Sequence, residues 1–309
     1  MVRFGKYMLI DELGGLDLAR PESTWNLVPA PPETLAICRW RADHIDPVCG
    51  ANCDCLECPP GNPGFHHRCA ELRPQLPLPE HPNVIRLFEI GRREEYYFVA
   101  LQLVRGVRVG SVLHRGASLP IAMALFIAAE VARGLAALHA LPTARGPGLV
   151  HDNLSPEAIL VTAEGTVVVS SLIRCPVRKS DLHWLTPDHL HDAPVDHRTD
   201  LFALGMVLYT MLTGHHILED ATQGGELRLA ALQRFTASPP SGLRRDVPPQ
   251  LDRIVERALA RPLLQRYQHA AELERDLRQV LASMAPRFAQ ADLAQYLRQL
   301  DLPMHPAMP

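Results

Sequence analysis

Residues 4–18 (FGKYMLIDELGGLDL) alternate apolar and polar positions around the adjacent Gly14 and Gly15, which predicts a strand, a turn and a return strand. Pro29, Pro31 and Pro32 punctuate the chain before a third strand over 34–40 (TLAICRW). Residues 41–64 are rich in Cys, Pro, Gly and Asp and show no periodicity, the signature of a loop or insertion. A short helix over 65–72 is expected to end quickly at Pro74, Pro77 and Pro79. Two more strands follow over 84–90 and 96–103.

From about residue 105 the period changes. Ser118-Leu119-Pro120 opens a long helix reaching about His139, with Leu125, Ala128, Val131, Ala132, Leu135 and Leu138 on one face. Strands over 158–161 and 166–170 flank a turn at 163–165. Helices are then expected over 200–212, 248–258 and 270–284. A last one over 292–300 carries a Leu293/Tyr296/Leu297/Leu300 stripe that would pack back on the domain or meet another chain. The pattern is that of an α+β protein: a small β-rich lobe with one helix, followed by a larger α-helical lobe.

Composition narrows the classes. The chain has 309 residues, a formal charge of −3 and 47% hydrophobic residues. That excludes a disordered polymer and gives no electrostatic reason to bind nucleic acid or an anionic membrane. The most apolar helical stretch, 121–132, is interrupted by Glu130, so no membrane span is expected, and the N-terminus lacks a signal-peptide layout. A cytoplasmic location follows as an expectation. Of seven cysteines, five (Cys49, Cys53, Cys55, Cys58, Cys69) cluster, which in such a compartment favours metal or redox chemistry over a disulfide framework.

Four motifs occur in a telling order: His81-Pro82-Asn83-Val84-Ile85, the segment HDNLSPEAIL at 151–160, Asp200-Leu201-Phe202-Ala203-Leu204-Gly205, and Arg261-Pro262-Leu263-Leu264-Gln265-Arg266-Tyr267. The second resembles the protein-kinase catalytic loop H-R-D-L-K-P-E-N-I-L, and the others its H-P-N-I-V, D-x-[YF]-[SA]-x-G and D-P-x-x-R-[YF] elements. Over roughly residues 4–283 the chain resembles bacterial serine/threonine kinases of the eukaryotic type. The resemblance implies a bilobal fold with a small lobe at 1–104, including the cysteine-rich insertion at about 41–69, a large lobe at 105–283, and a helical tail at 284–309.

Fold does not carry chemistry, which rests on the side chain at each individual position. The resemblance places Cys38 of Leu35-Ala36-Ile37-Cys38 where the family has its phosphate-holding lysine, and neighbouring Arg39 points to the other face of the strand. The glycine-rich loop is reduced to Gly14 and Gly15, with Asp17 where phosphate would approach. Asn153 falls on the catalytic aspartate, Ser155 on the following lysine, Ala158 on the metal-binding asparagine, and Ser171 on the metal-binding aspartate. Glu71 aligns with the ion-pairing glutamate of the small lobe's helix.

Positions that hold the fold are retained. Asp200 is expected to anchor the catalytic-loop backbone, His151 and Leu172 to stack in an apolar column, and Asp188 of Thr186-Pro187-Asp188 to pair with Arg266. Asp152, at the family's arginine position, would repel a phosphorylated activation segment. Ser180 and Thr186 read as structural hydroxyls. Leu101 and Leu160 are expected to fill the cleft, and His215–His216 to sit in a solvated loop.

The resemblance is to a pseudokinase. The expected function is a catalytically inactive signalling scaffold or allosteric protein-binding module that takes no ATP or Mg²⁺. Its partner would be a protein, an active kinase or its substrate, with a homodimer open. The alternatives are a weak or atypical ATP-dependent phosphotransferase and a metal- or redox-sensing module. Cys49, Cys53, Cys55 and Cys58 are expected to hold one structural Zn²⁺, with His66, His67 and Cys69 as possible replacements. Disulfides or free thiols, and an iron–sulfur cluster, are the other readings of the same cysteines.

Overall fold

The structure is a computed structural model that describes residues 2–4, 7–13, 16–21, 35–41, 68, 71–93, 96–114, 118–143, 146–173, 183–190, 195–218 and 237–306. Strands β1 (Val2–Phe4), β2 (Tyr7–Leu13), β3 (Leu16–Pro21), β4 (Leu35–Arg41), β5 (Leu87–Arg93) and β6 (Tyr96–Gln102) form one antiparallel sheet in the order β1-β2-β3-β4-β6-β5. Cys38 lies mid-sheet on β4, in register with Leu16 on one side and Val99 on the other. The strand expected from residue 84 begins only at Leu87. Val84 instead bridges to Val169 of the large lobe, and Ile85 donates its N–H to the Val169 carbonyl at 2.8 Å. The small-lobe helix is described at Arg68, Glu71 and Leu72, and Arg73–Gln75 continues as a single 3₁₀ turn.

Beyond this sheet come β7 (Arg105–Arg108), the short helix α1 (Val109–Leu113) and the long helix α2 (Ile121–His139). Pro120 stands at the N-cap of α2, where its missing N–H costs nothing. The spacing fits either an amphipathic or a buried helix. The helix is buried from Ala124 to Ala132 without a break, because other elements surround it. It is also long and apolar enough to cross a membrane by length and composition, contrary to the expectation from Glu130, with 67% of the relevant window buried inside the protein. Glu130 is accommodated by Arg133 and Arg278, each with an N–H 2.7 Å from its carboxylate.

Two-residue strands β8 (Pro142–Thr143) and β9 (Gly146–Pro147) lead to the hairpin of β10 (Ile159–Val161) and β11 (Val167–Val169). Helix α3 (His197–Thr213) is buried at every position from 199 to 212, and a helix apolar on all sides must lie inside. Asp196 caps its start by accepting the Arg198 N–H. Gly214 ends it in the left-handed region, at φ 78°, where a Cβ would be strained.

Helices α4 (Pro240–Leu243), α5 (Pro249–Ala258) and α6 (Ala270–Met284) complete the large lobe, with α2 packed against both α3 and α6. The tail contributes α7 (Gln290–Leu300) and β12 (His305–Pro306). Leu293 and Leu297 of the apolar stripe are buried and Tyr296 and Leu300 pack on the same core, so the stripe faces inward. Strand β12 joins a second sheet in the order β11-β10-β7-β12, an element the sequence pattern did not signal.

Candidate active-site region

The region is organised by Asp200, the fourth residue of α3, whose side chain is buried. Its Oδ2 accepts the His151 backbone N–H at 2.7 Å and His139 Nε2–H at 2.8 Å, and its Oδ1 accepts the Asp152 N–H at 2.8 Å. Burial by itself would raise this carboxyl's pKa. The His139 hydrogen bond, the charges of His139 and His151 and the His151 N–H outweigh it, holding Asp200 below its ordinary value. The expected anchor of the catalytic-loop backbone is therefore present.

His151 and Leu172 are both buried. The His151 Nε2–H donates to the Ser170 carbonyl at 2.8 Å and its Nδ1 accepts the Asn153 N–H at 3.2 Å. One donor and one acceptor satisfy a neutral imidazole, and burial pushes its pKa down.

Of the positions singled out in the sequence, Asn153, Ser155, Ala158 and Ser171 take part in local hydrogen bonding. Asn153 donates Nδ2–H to the Ser171 carbonyl at 3.2 Å, a contact an ionised aspartate cannot make. Ser171 holds a left-handed backbone, φ 63°. Ala158 is buried and accepts the Ser170 N–H through its carbonyl at 2.8 Å, but offers no side-chain oxygen. Ser155 precedes the 3₁₀ turn Pro156–Ala158. Cys38 is described through its strand register alone. Leu101 and Leu160 are buried.

Asp152 does not stand idle. Its backbone is left-handed (φ 62°) and its Oδ1 accepts Nε2–H of His189 at 2.9 Å. His189 Nδ1 in turn accepts the N–H of buried Thr186 at 3.0 Å. Asp152, Asn153, Ser155, Trp184 and His189 line a small pocket here. The retained pair is also in place: Arg266 donates Nη1–H to Asp188 at 2.7 Å and Nη2–H at 3.2 Å, with its guanidinium over the Phe202 ring. Of the two consecutive histidines, His215 is exposed, whereas His216 packs edge-on against Trp184 and so leaves the solvated loop expected for both.

Glu71 faces Arg68 at 2.9 Å, one helical turn away. Arg68, His139 and His189 are the residues that sequence reading missed. Only their proximity in space gives them roles, and nothing in their local pattern announces it. Cys49, Cys53, Cys55, Cys58, His66, His67 and Cys69 lie outside the described residues, as do Gly14, Gly15 and Ser180.

Comparison with known proteins places this geometry. The protein kinase domain model matches residues 67–276. The serine/threonine-protein kinase PknB of Mycolicibacterium smegmatis is 27% identical over 244 residues, covering 73% of this chain and 37% of that protein. PknL of Mycobacterium tuberculosis is 27% identical over 219 residues, covering 66% and 52% respectively. The chain thus spans about a third to a half of the length of these curated relatives. Among solved structures, the PknI kinase domain of Mycobacterium tuberculosis superposes with a TM-score of 0.67 at 19% identity, covering 92% of this chain and 98% of that domain. That likeness is one of fold.

Proposed function

This chain belongs to the protein kinase family, and from that premise we propose that it is a catalytically silent member whose kinase-like body serves as a signalling scaffold or allosteric protein-binding module. The observation that carries the reading is the Asn153–Ser171 hydrogen bond, 3.2 Å long. Phosphoryl transfer needs a carboxylate to accept the nucleophile's proton and oxygen ligands for the metal that neutralises the phosphates. At 153 an amide stands in that role, committed as a donor to the main chain. At 158 the ligand position is a buried methyl group. With Cys38 at the lysine position, Ser155 and Ser171, five substitutions each remove a different part of the machinery.

What is kept supports a binding role: Asp200, His151, Leu172 and the Arg266–Asp188 pair all serve the shape of the large lobe. The partner proposed is a protein, an active kinase or one of its substrates, engaged through a lobe surface rather than through the cleft.

Thermal unfolding of the full chain with and without ATP and Mg²⁺ tests the reading. No shift in Tm is expected at millimolar nucleotide. A rise of several degrees overturns the nucleotide-free assignment, since a ligand at a hundred times its Kd stabilises by about 2.7 kcal/mol. Phosphate transfer from labelled ATP that is lost on Asp152→Ala overturns the silent assignment.

A further inference from the structure

We propose that Arg68 is a built-in latch that holds the small-lobe helix against the catalytic loop without nucleotide and without the usual lysine–glutamate pair. In the family that this chain resembles, the helix is held by a glutamate pairing with the lysine of the third strand. Here that lysine is Cys38, and Glu71 turns to Arg68 instead, 2.9 Å away.

Arg68 itself is only 7% exposed, and its guanidinium crosses between segments far apart in the chain. Nε–H donates to the Leu172 carbonyl at 2.7 Å and Nη2–H to the His151 carbonyl at 3.2 Å, while Nη1–H meets Glu71. A planar fork with donors on three nitrogens suits this arrangement, because one cation reaches two carbonyls and a carboxylate at fixed angles. Lysine has a single nitrogen and could not hold all three in these directions.

The contact binds the two residues that define the site. His151 opens the catalytic loop and Leu172 follows Ser171, so a helix tied to both carbonyls fixes their backbones together. Glu71 balances the buried charge, which would otherwise be costly in this position. The helix is therefore tied at Arg68 to the catalytic loop by the chain itself, with protein groups alone making the contacts.

Hydrogen exchange on the full chain, run without nucleotide, tests the latch independently of whether the cleft binds ATP. In Arg68→Gln, the amides of 71–72, 151–154 and 170–173 are expected to exchange at least about tenfold faster, with α5 and α6 unchanged. Arg68→Lys keeps the charge and should give a smaller rise confined to the same segments, and it carries the test if the Gln variant does not fold. A change below about twofold at 151–154 and 170–173, or an equal rise throughout the large lobe, overturns the proposal.

Discussion

Asp152 Oδ1 and His189 Nε2 lie 2.9 Å apart, both side chains largely buried, and join the catalytic loop to the segment that runs toward α3. In the kinases that the sequence resembles, this position often carries an arginine that pairs with a phosphorylated activation segment; here a carboxylate meets a histidine instead. Asp152→Arg is expected to destabilise by about 1–2 kcal/mol in urea denaturation, because it sets a second donor against His189 and places a long side chain on a left-handed backbone. Asp152→Asn keeps an acceptor and a residue that tolerates that backbone, and should cost less than about 1 kcal/mol. A double-mutant cycle with His189→Ala measures the coupling directly.

Restoring the catalytic carboxylate alone should harm the protein. Asn153→Asp replaces an N–H donor with an acceptor facing the Ser171 carbonyl, an expected loss of about 1–3 kcal/mol. Labelled-ATP turnover should stay at background, since Cys38, Ala158 and Ser171 are unchanged.

Stability should fall in acid in two steps. His151 is held below its ordinary pKa of 6.5 chiefly by burial, and His81 is lowered in the same way, so the unfolded chain binds protons before the folded one does. Their contribution is complete above pH 6.5 and is lost as pH drops beneath it. Asp200, depressed from 3.8 in spite of its burial, contributes above that value and loses its contribution as pH falls further, through its folded pKa. Urea midpoints from pH 8 to 3 check both steps. His151→Gln should shrink the first step to the share of His81 and, by removing one of the charges that depress Asp200, weaken the second.

The tail helix should behave as part of the large lobe. Gly165 has φ 83°, and a Cβ there would sit 2.2 Å from the Gln290 carbonyl oxygen at the start of α7. Gln290 also donates Nε2–H to the Glu164 carbonyl and to Thr166 Oγ1, both at 2.9 Å. Gly165→Ala is expected to cost more than about 1 kcal/mol and to raise hydrogen exchange in α7 selectively.

Metal content is an independent check on the cysteine-rich insertion, where we propose one structural Zn²⁺ held by Cys49, Cys53, Cys55 and Cys58. Elemental analysis of protein purified without added zinc should find about one zinc per chain, and Cys53→Ser should lower it. Iron in place of zinc, or intact disulfides with no metal, would sink the assignment.

Much of the architecture was legible in the chain. The alternation around Gly14 and Gly15, the apolar run of α2, and the helices over 248–258 and 270–284 were all predicted within a few residues, because local periodicity dictates which face an element can bury. The family was equally readable, since a motif is a statement about order along the chain. What the tertiary structure decided was which groups meet. Arg68 reaches carbonyls 83 and 104 residues away, and His189 finds Asp152 across 37. A polar side chain in a buried setting takes whatever partner the fold brings within about 3 Å, and no local pattern encodes that partner.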